Sequence, residues 1–214
     1  MTLPRPEPQR LPKHLPGFEN IPRSWDRGFG VPMAKIVAGE YYVTDQEEGI
    51  LTVLGSCISA CIRDKIFGIG GMNHFMLPIS KNDDDKWVDS CVDPSNRYGN
   101  FAMENLINAV IRNGGHREHL EVKIFGGGKV LELGTDIGKR NIEFVKRYLA
   151  NERLPVIAED VGDICPRKVV FFPRSGTVKL KRLRRQESAG IAEAETTYLE
   201  NIDAAPVEGD IDLF

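Results

Sequence analysis

Leu54-Gly55-Ser56-Cys57-Ile58-Ser59-Ala60-Cys61-Ile62-Arg63-Asp64 is the stretch from which the rest is read. Residues 49–53 before the Gly-Ser-Cys triplet and 58–62 after it are apolar and rich in β-branched side chains. They predict two extended segments, or a strand and a buried turn, that meet at Cys57. Glycine lacks a Cβ, so Gly55 permits a sharp turn and close approach of a substrate. Such a turn can also aim backbone N–H groups at a developing oxyanion. Cys57 is therefore a candidate nucleophile. The plainer reading is a small core residue, since free cysteines in apolar runs usually pack as such.

Seventeen residues further on comes His74, inside Gly70-Gly71-Met72-Asn73-His74-Phe75-Met76-Leu77-Pro78. A thiol needs a base or a positive neighbour to become thiolate near neutral pH, and histidine supplies either. A strand leading into His74 would bring it beside Cys57, although spacing alone does not establish contact. A satisfied structural histidine is the alternative.

Working outward, residues 35–43 predict a strand, and 67–74 another. Residues 80–96, with Asp83, Asp84 and Asp85, predict a polar surface loop. Ala102, Met103, Leu106, Ile107, Val110 and Ile111 recur at three- and four-residue spacing, which predicts a helix over 96–112 stopped by Gly114-Gly115. Further strands are predicted at 120–125, 156–160, 168–172 and 177–183, and a second helix at 137–151. Clustered strands with two helices predict an α+β domain, helices packed on a layer of sheet. Residues 1–34 hold seven of the thirteen prolines and predict an extended arm, docked if at all through Trp25, Phe29 and Val31. Residues 187–214 carry eight acidic side chains and no Lys or Arg. The predicted domain is therefore 35–185, followed by an acidic flexible tail over 186–214 that ends in Ile211, Leu213 and Phe214.

With 41% apolar and 28% charged residues and a formal charge of −3, the composition is that of a soluble globular protein without an overall basic field. No apolar run approaches the roughly 18 to 20 residues that span a bilayer. A start rich in proline and charge is unlike a signal peptide, so a cytoplasmic location with reduced thiols is expected. Cys57, Cys61, Cys91 and Cys165 are then free thiols, metal ligands or a nucleophile.

Leu-Gly-Ser-Cys followed by Arg-Asp, then Gly-Gly-Met-Asn-His-Phe-Met-Leu-Pro, resembles the two signature segments of the CheD family. The likeness continues through Lys123–Gly128, Asp136–Leu149 and Ala158-Glu159-Asp160-Val161-Gly162, so it covers most of residues 35–183. The resemblance implies layered sheets with packed helices, like the catalytic domain of the cytotoxic necrotizing factor toxins. It implies a cytoplasmic enzyme that hydrolyses the side-chain amide of selected glutamines on chemoreceptors, with a Cys–His–Thr site and no cofactor. Cys57 would be the nucleophile and His74 the base. Thr52, five residues upstream on the preceding strand, is the candidate third member, and an ordinary strand threonine is its alternative. Gly55 and Ser56 would supply the oxyanion or substrate-positioning groups.

By that implication a γ-glutamyl thioester forms on Cys57, ammonia leaves, and water releases glutamate. The partners implied are the helical cytoplasmic domain of chemoreceptors and a CheC-type phosphatase. A transglutaminase-like acyl transfer and a non-catalytic adaptor are the rival classes. Cys57, Cys61, His74 and Cys91 lack the spacing of common zinc modules, so no metal is expected. Gly126-Gly127-Gly128-Lys129 lacks the G-x-x-x-x-G-K-[ST] pattern of a phosphate loop and reads as a glycine turn beside the site. The basic residues from Lys179 to Arg185 read as a solvated strand end or a surface for an acidic partner.

Overall fold

The break at Gly55 is where the chain crosses from the middle of one β-sheet to the middle of another. The computed structural model describes residues 11–79, 94–131, 136–184 and 189–204. One sheet has the order β1–β2–β4–β9–β10, built from β1 (Arg23–Asp26), β2 (Val31–Lys35), β4 (Gly49–Leu54), β9 (Arg167–Phe172) and β10 (Thr177–Arg182). The other has the order β3–β6–β5–β7–β8, built from β3 (Tyr41–Thr44), β6 (Gly70–Asn73), β5 (Ile58–Asp64), β7 (Leu120–Gly126) and β8 (Val156–Val161). Strands β4 and β5 are each third of five, and only Gly55, Ser56 and Cys57 join them. Strand β5 is buried along nearly its whole length, and in β4 only Leu51 and Val53 are half-exposed, which is why both runs are rich in apolar residues.

Ile50, Leu54 and Phe171 from the first sheet share one buried cluster with Ile58, Ile62 and Ile124 from the second. Each such side chain contributes on the order of 1.5–3 kcal/mol by leaving water. Helix α1 (Pro94–Arg112) packs across β3, β5 and β6 through Met103, Leu106 and Val110, and α2 (Ile137–Asn151) packs on β5 and α1. Asp136 caps α2 by accepting from the Lys139 N–H at 3.0 Å. The arrangement is the α+β class, two mixed sheets with helices packed on them.

Several expected elements differ in extent. The single strand expected over 35–43 is two strands in different sheets, β2 and β3. The chain turns between them at Gly39, whose φ of 88° is open to glycine and strained for other residues. The strand expected over 67–74 is shorter, because the Asp64 side chain accepts from the N–H groups of Ile66 and Phe67 and holds a turn there. The expected arm supplies two strands of the first sheet, and β2 ladders in parallel onto β4. Its buried anchor is Phe18, packed edge-on against Tyr41 and Tyr42, whereas Phe29 is exposed and touches Phe172. At the other end, the expected flexible tail contains α3 (Ala189–Ala204), with Leu199 buried in the core cluster. Folded structure thus extends past both expected boundaries. Of the loop expected over 80–96, α1 takes the last three residues from Pro94, and residues 80–93, with Cys91, lie outside the described residues, as does the terminal Gly209–Phe214 segment.

The triple glycine that begins with the last residue of β7 lies against the crossing. Gly127 N–H donates to Cys57 O at 2.7 Å, and Gly128 N–H to Gly55 O at 2.8 Å. Gly126 has a φ of 109°, and a Cβ there would lie 2.3 Å from Cys57 O. Gly126→Ala is therefore expected to destabilise the fold by more than about 2 kcal/mol, from strained backbone and a clash that has no flexible side chain to yield. Urea denaturation measures this directly; an unchanged midpoint would show that the crossing tolerates displacement.

Candidate active site

Cys57 ends the crossing and opens onto β5, with 0% of its surface exposed. His74 reaches it through strand register. Cys61 pairs with Met72 and Ile62 with Gly71, and the same antiparallel register continues to a bridge between Ile58 and Phe75. Ile58 N–H donates to Phe75 O at 2.9 Å and receives the reciprocal bond at 3.0 Å. On its other side His74 N–H donates to Glu40 O at 2.9 Å, and Gly39 N–H donates to His74 O at 2.8 Å. His74 is thus held by backbone on both edges, just past the end of β6.

Thr52 on β4 faces the imidazole, its Oγ1 lying 2.8 Å from His74 Nδ1 and 2.9 Å from Ile36 O. A hydroxyl has one proton to give. Donated to the Ile36 carbonyl, it leaves the threonine oxygen to accept from Nδ1–H. That fixes the tautomer with the lone pair on Nε2. Nε2 is buried and has no hydrogen-bond partner among the described residues. Burial without a compensating charge holds the imidazole down at about 3, so it is neutral at ordinary pH.

Three backbone N–H groups converge beside the thiol. Gly55, Ser56 and Cys57 donate at 2.8, 2.7 and 3.1 Å, and all three point at the carboxylate of Glu195 on α3. The Cys57 sulfur, a His74 ring nitrogen and a Glu195 oxygen lie within 4.8 Å of one another. Desolvation first, then the charge and hydrogen bond of Glu195, push the Cys57 thiol well above its ordinary range. In this state the pair is a thiol and a neutral imidazole. The hydroxyls of Tyr98 on α1 and Tyr198 on α3 are hydrogen-bonded to each other at the margin.

Asn141 braces the site from α2. Its Nδ2 donates to Ser56 O at 2.8 Å, and its Oδ1 accepts from Leu77 N–H at 2.9 Å. One buried amide therefore ties the cysteine segment to the histidine segment and satisfies both backbone groups. Its signal in the sequence was weak, a lone polar residue on the inner face of a helix.

The structure brings Thr52, Gly55, Ser56, Cys57 and His74 together. Cys61 lies on β5, buried in the core cluster, with its thiol raised by desolvation. Among the described residues the group able to hold a cation is Cys57, His74 and Glu195, not the cysteine set read from sequence. Both Glu195 oxygens, however, already accept backbone N–H bonds. Glu195 itself was missed. A glutamate on the same helical face as Ala192, Leu199 and Ile202 was the available sign, obscured by the acidic composition around it.

A family model described as CheD chemotactic sensory transduction matches residues 76–182. That span begins after His74, so the pairing of Cys57 with His74 and Thr52 rests on the geometry. Among curated proteins, a probable chemoreceptor glutamine deamidase CheD of Halorhodospira halophila is 51% identical over 204 residues, 95% of this chain and 94% of that protein. Its counterpart in Saccharophagus degradans is 47% identical over 207 residues, 96% and 95% of the two chains. A third, from Hahella chejuensis, is 47% identical over 214 residues and matches end to end, α3 included.

The buried imidazole carries a pH signature. His74 titrates at 6.5 when unperturbed and about 3 in the fold, so between those values the unfolded chain binds the extra proton. Its contribution to stability is fully present above the unfolded value and is lost as pH falls toward the folded one. The slope is at most about 1.4 kcal/mol per pH unit. Urea midpoints should therefore fall more steeply on acidification in the native chain than in His74→Gln. Identical slopes would mean that the folded protein accepts the proton at His74 without penalty.

Proposed function

The chain belongs to the CheD family, and from that premise we propose that it hydrolyses selected glutamine side chains of chemoreceptors to glutamate, with Cys57 as nucleophile. One observation carries the assignment of roles: Thr52 holds His74 Nδ1, leaving a free Nε2 in a buried pocket with the Cys57 thiol and three convergent N–H groups. The curated relatives are themselves named as probable chemoreceptor glutamine deamidases.

In the proposed reaction, His74 Nε2 takes the Cys57 proton as sulfur attacks the carboxamide carbon. The oxyanion receives the N–H groups of Gly55, Ser56 and Cys57, which stand ready before the reaction begins. The imidazolium passes its proton to the departing nitrogen, and the C–N bond breaks to give ammonia and a γ-glutamyl thioester. His74 then deprotonates water, which attacks the thioester carbon. The C–S bond breaks, glutamate leaves, and the proton returns to sulfur. Thr52 is the orienting group, accepting the Nδ1–H that develops positive charge. Cys57 and the hydrolytic water supply the protons of this scheme, and His74 relays each of them.

The site lies in a chain with no described helix long and apolar enough to cross a membrane. A cytoplasmic setting, where receptor signalling helices are reached, is part of the proposal. So is a CheC-type phosphatase as a second partner, which the family membership suggests.

Incubation with receptor cytoplasmic fragments should release ammonia and convert target glutamines to glutamate, read by mass spectrometry. Cys57→Ala should abolish conversion while keeping the native circular dichroism. Thr52→Val should lower turnover by about one order of magnitude or more, and Thr52→Ser should restore most of it. Conversion by Cys57→Ala at the native rate would remove the cysteine mechanism. Turnover by Thr52→Val equal to that of the native chain would leave His74 without a need for its threonine.

A further inference from the structure

The reaction needs an open groove, yet Cys57 is wholly enclosed, and Glu195 of α3 stands within 4.8 Å of its sulfur. Ala192, Glu195, Tyr198, Leu199 and Ile202 fall at three- and four-residue spacing and turn one face of α3 inward. Four of them are apolar or aromatic. The fifth, Glu195, is only 4% exposed. A carboxylate is costly to bury unless hydrogen bonds replace its water. Here the replacement comes from the N–H groups of Gly55, Ser56 and Cys57, the same three that the proposed chemistry assigns to the oxyanion. Glu195 also fills the space above Gly55, where a Cβ would lie 2.6 Å from its carboxylate oxygen. Tyr198 adds a second polar anchor through Tyr98, and Leu199 an apolar one.

The occupant has a telling chemistry. A glutamate side chain is what hydrolysis of a glutamine leaves behind, and this one projects from a helix with its carboxylate beside the thiol. We infer that α3 is an intramolecular product mimic: the resting chain holds Glu195 where the carboxylate of a newly formed glutamate stands, and a substrate helix enters only when α3 leaves. The inference rests on the hydrolase reading for the word product, and on geometry alone for the closure. It also narrows the substrate class. A groove that accepts α3 accepts a glutamine presented from a helical face with a small residue three before it and apolar or aromatic residues three, four and seven after it.

The raised thiol of the closed state agrees with this arrangement, since Glu195 contributes to it by charge and hydrogen bond. Reactivity of Cys57 in the resting chain is then limited by the fraction of molecules in which α3 has opened.

Two full-length variants test the closure. In Glu195→Ala, iodoacetamide labelling of Cys57 should accelerate roughly tenfold or more over the native chain, as the open fraction rises, while labelling of Cys61 and Cys165 stays unchanged. In the isosteric Glu195→Gln, the groove is occupied by a substrate in place of a product. The introduced glutamine should convert to glutamate within the same molecule, at a rate independent of protein concentration. It should persist when Cys57→Ala is added. Should the alanine variant fail to fold, the glutamine variant carries the test alone.

Equal Cys57 labelling in the native and alanine chains overturns the closure. So does persistence of the introduced glutamine in a protein that deamidates receptor fragments. Acceleration of native Cys57 labelling by EDTA would assign Cys57, His74 and Glu195 to a metal ion and overturn it as well. If Glu195→Ala accelerates labelling but no variant releases ammonia from itself or from receptors, the closure stands and the hydrolase reading fails.

Discussion

Everything in the site hangs on a three-residue crossing between the centres of two sheets. Central strands are the most constrained parts of a sheet, because they are laddered on both edges. Joining two of them through Gly55-Ser56-Cys57 leaves the backbone almost no freedom. Gly127 and Gly128 hold its carbonyls from one side, and Asn141 holds the Ser56 carbonyl from α2. With the carbonyls so engaged, the three N–H groups face the other way, into the pocket. A preorganised donor array follows from the topology, and it sits beside a sulfur whose own position the same topology fixes.

The other catalytic groups come from strands that the crossing brings near. Thr52 lies on β4, just before the crossing, and His74 lies beyond β6, the neighbour of β5. The Thr52–His74 contact therefore spans the two sheets. Glu48, just before β4, makes a related link: it pairs with Arg23 of β1 and accepts from Tyr42 and Thr44 of β3. Such buried polar contacts fix the relative placement of the sheets because leaving any member unpaired would be costly.

The local signals in the sequence were strong where one element made its own contacts. The inward spacing of Ile142, Val145 and Leu149 marked α2 over 137–151, and the apolar runs flanking Gly55 marked β4 and β5. Cys57 and His74 were legible as candidates because each stood in a distinctive local context, whereas Thr52 was named only by the family resemblance. What stayed hidden depended on distant partners. Whether Thr52 pointed at His74 turned on a contact across 22 positions of sequence, and a one-residue offset in the strand would have reversed it. The part of the arm that forms β1 and β2 lacked periodicity of its own because its stability comes from the ladder onto β4. Helix α3 was concealed by its charge. Its acidic content reads as a solvated tail until Glu195 is seen to bond backbone 138 to 140 positions away.

The central claim is that the Cys57 sulfur carries the reaction, and covalent titration reaches it most directly. Glu195→Ala protein is alkylated to graded extents, the fraction of Cys57 modified is measured by peptide mass spectrometry, and each sample is assayed on receptor fragments. The account predicts that ammonia release falls in proportion to the fraction of Cys57 alkylated and vanishes when modification is complete. Undiminished release from protein whose Cys57 is fully alkylated would contradict it.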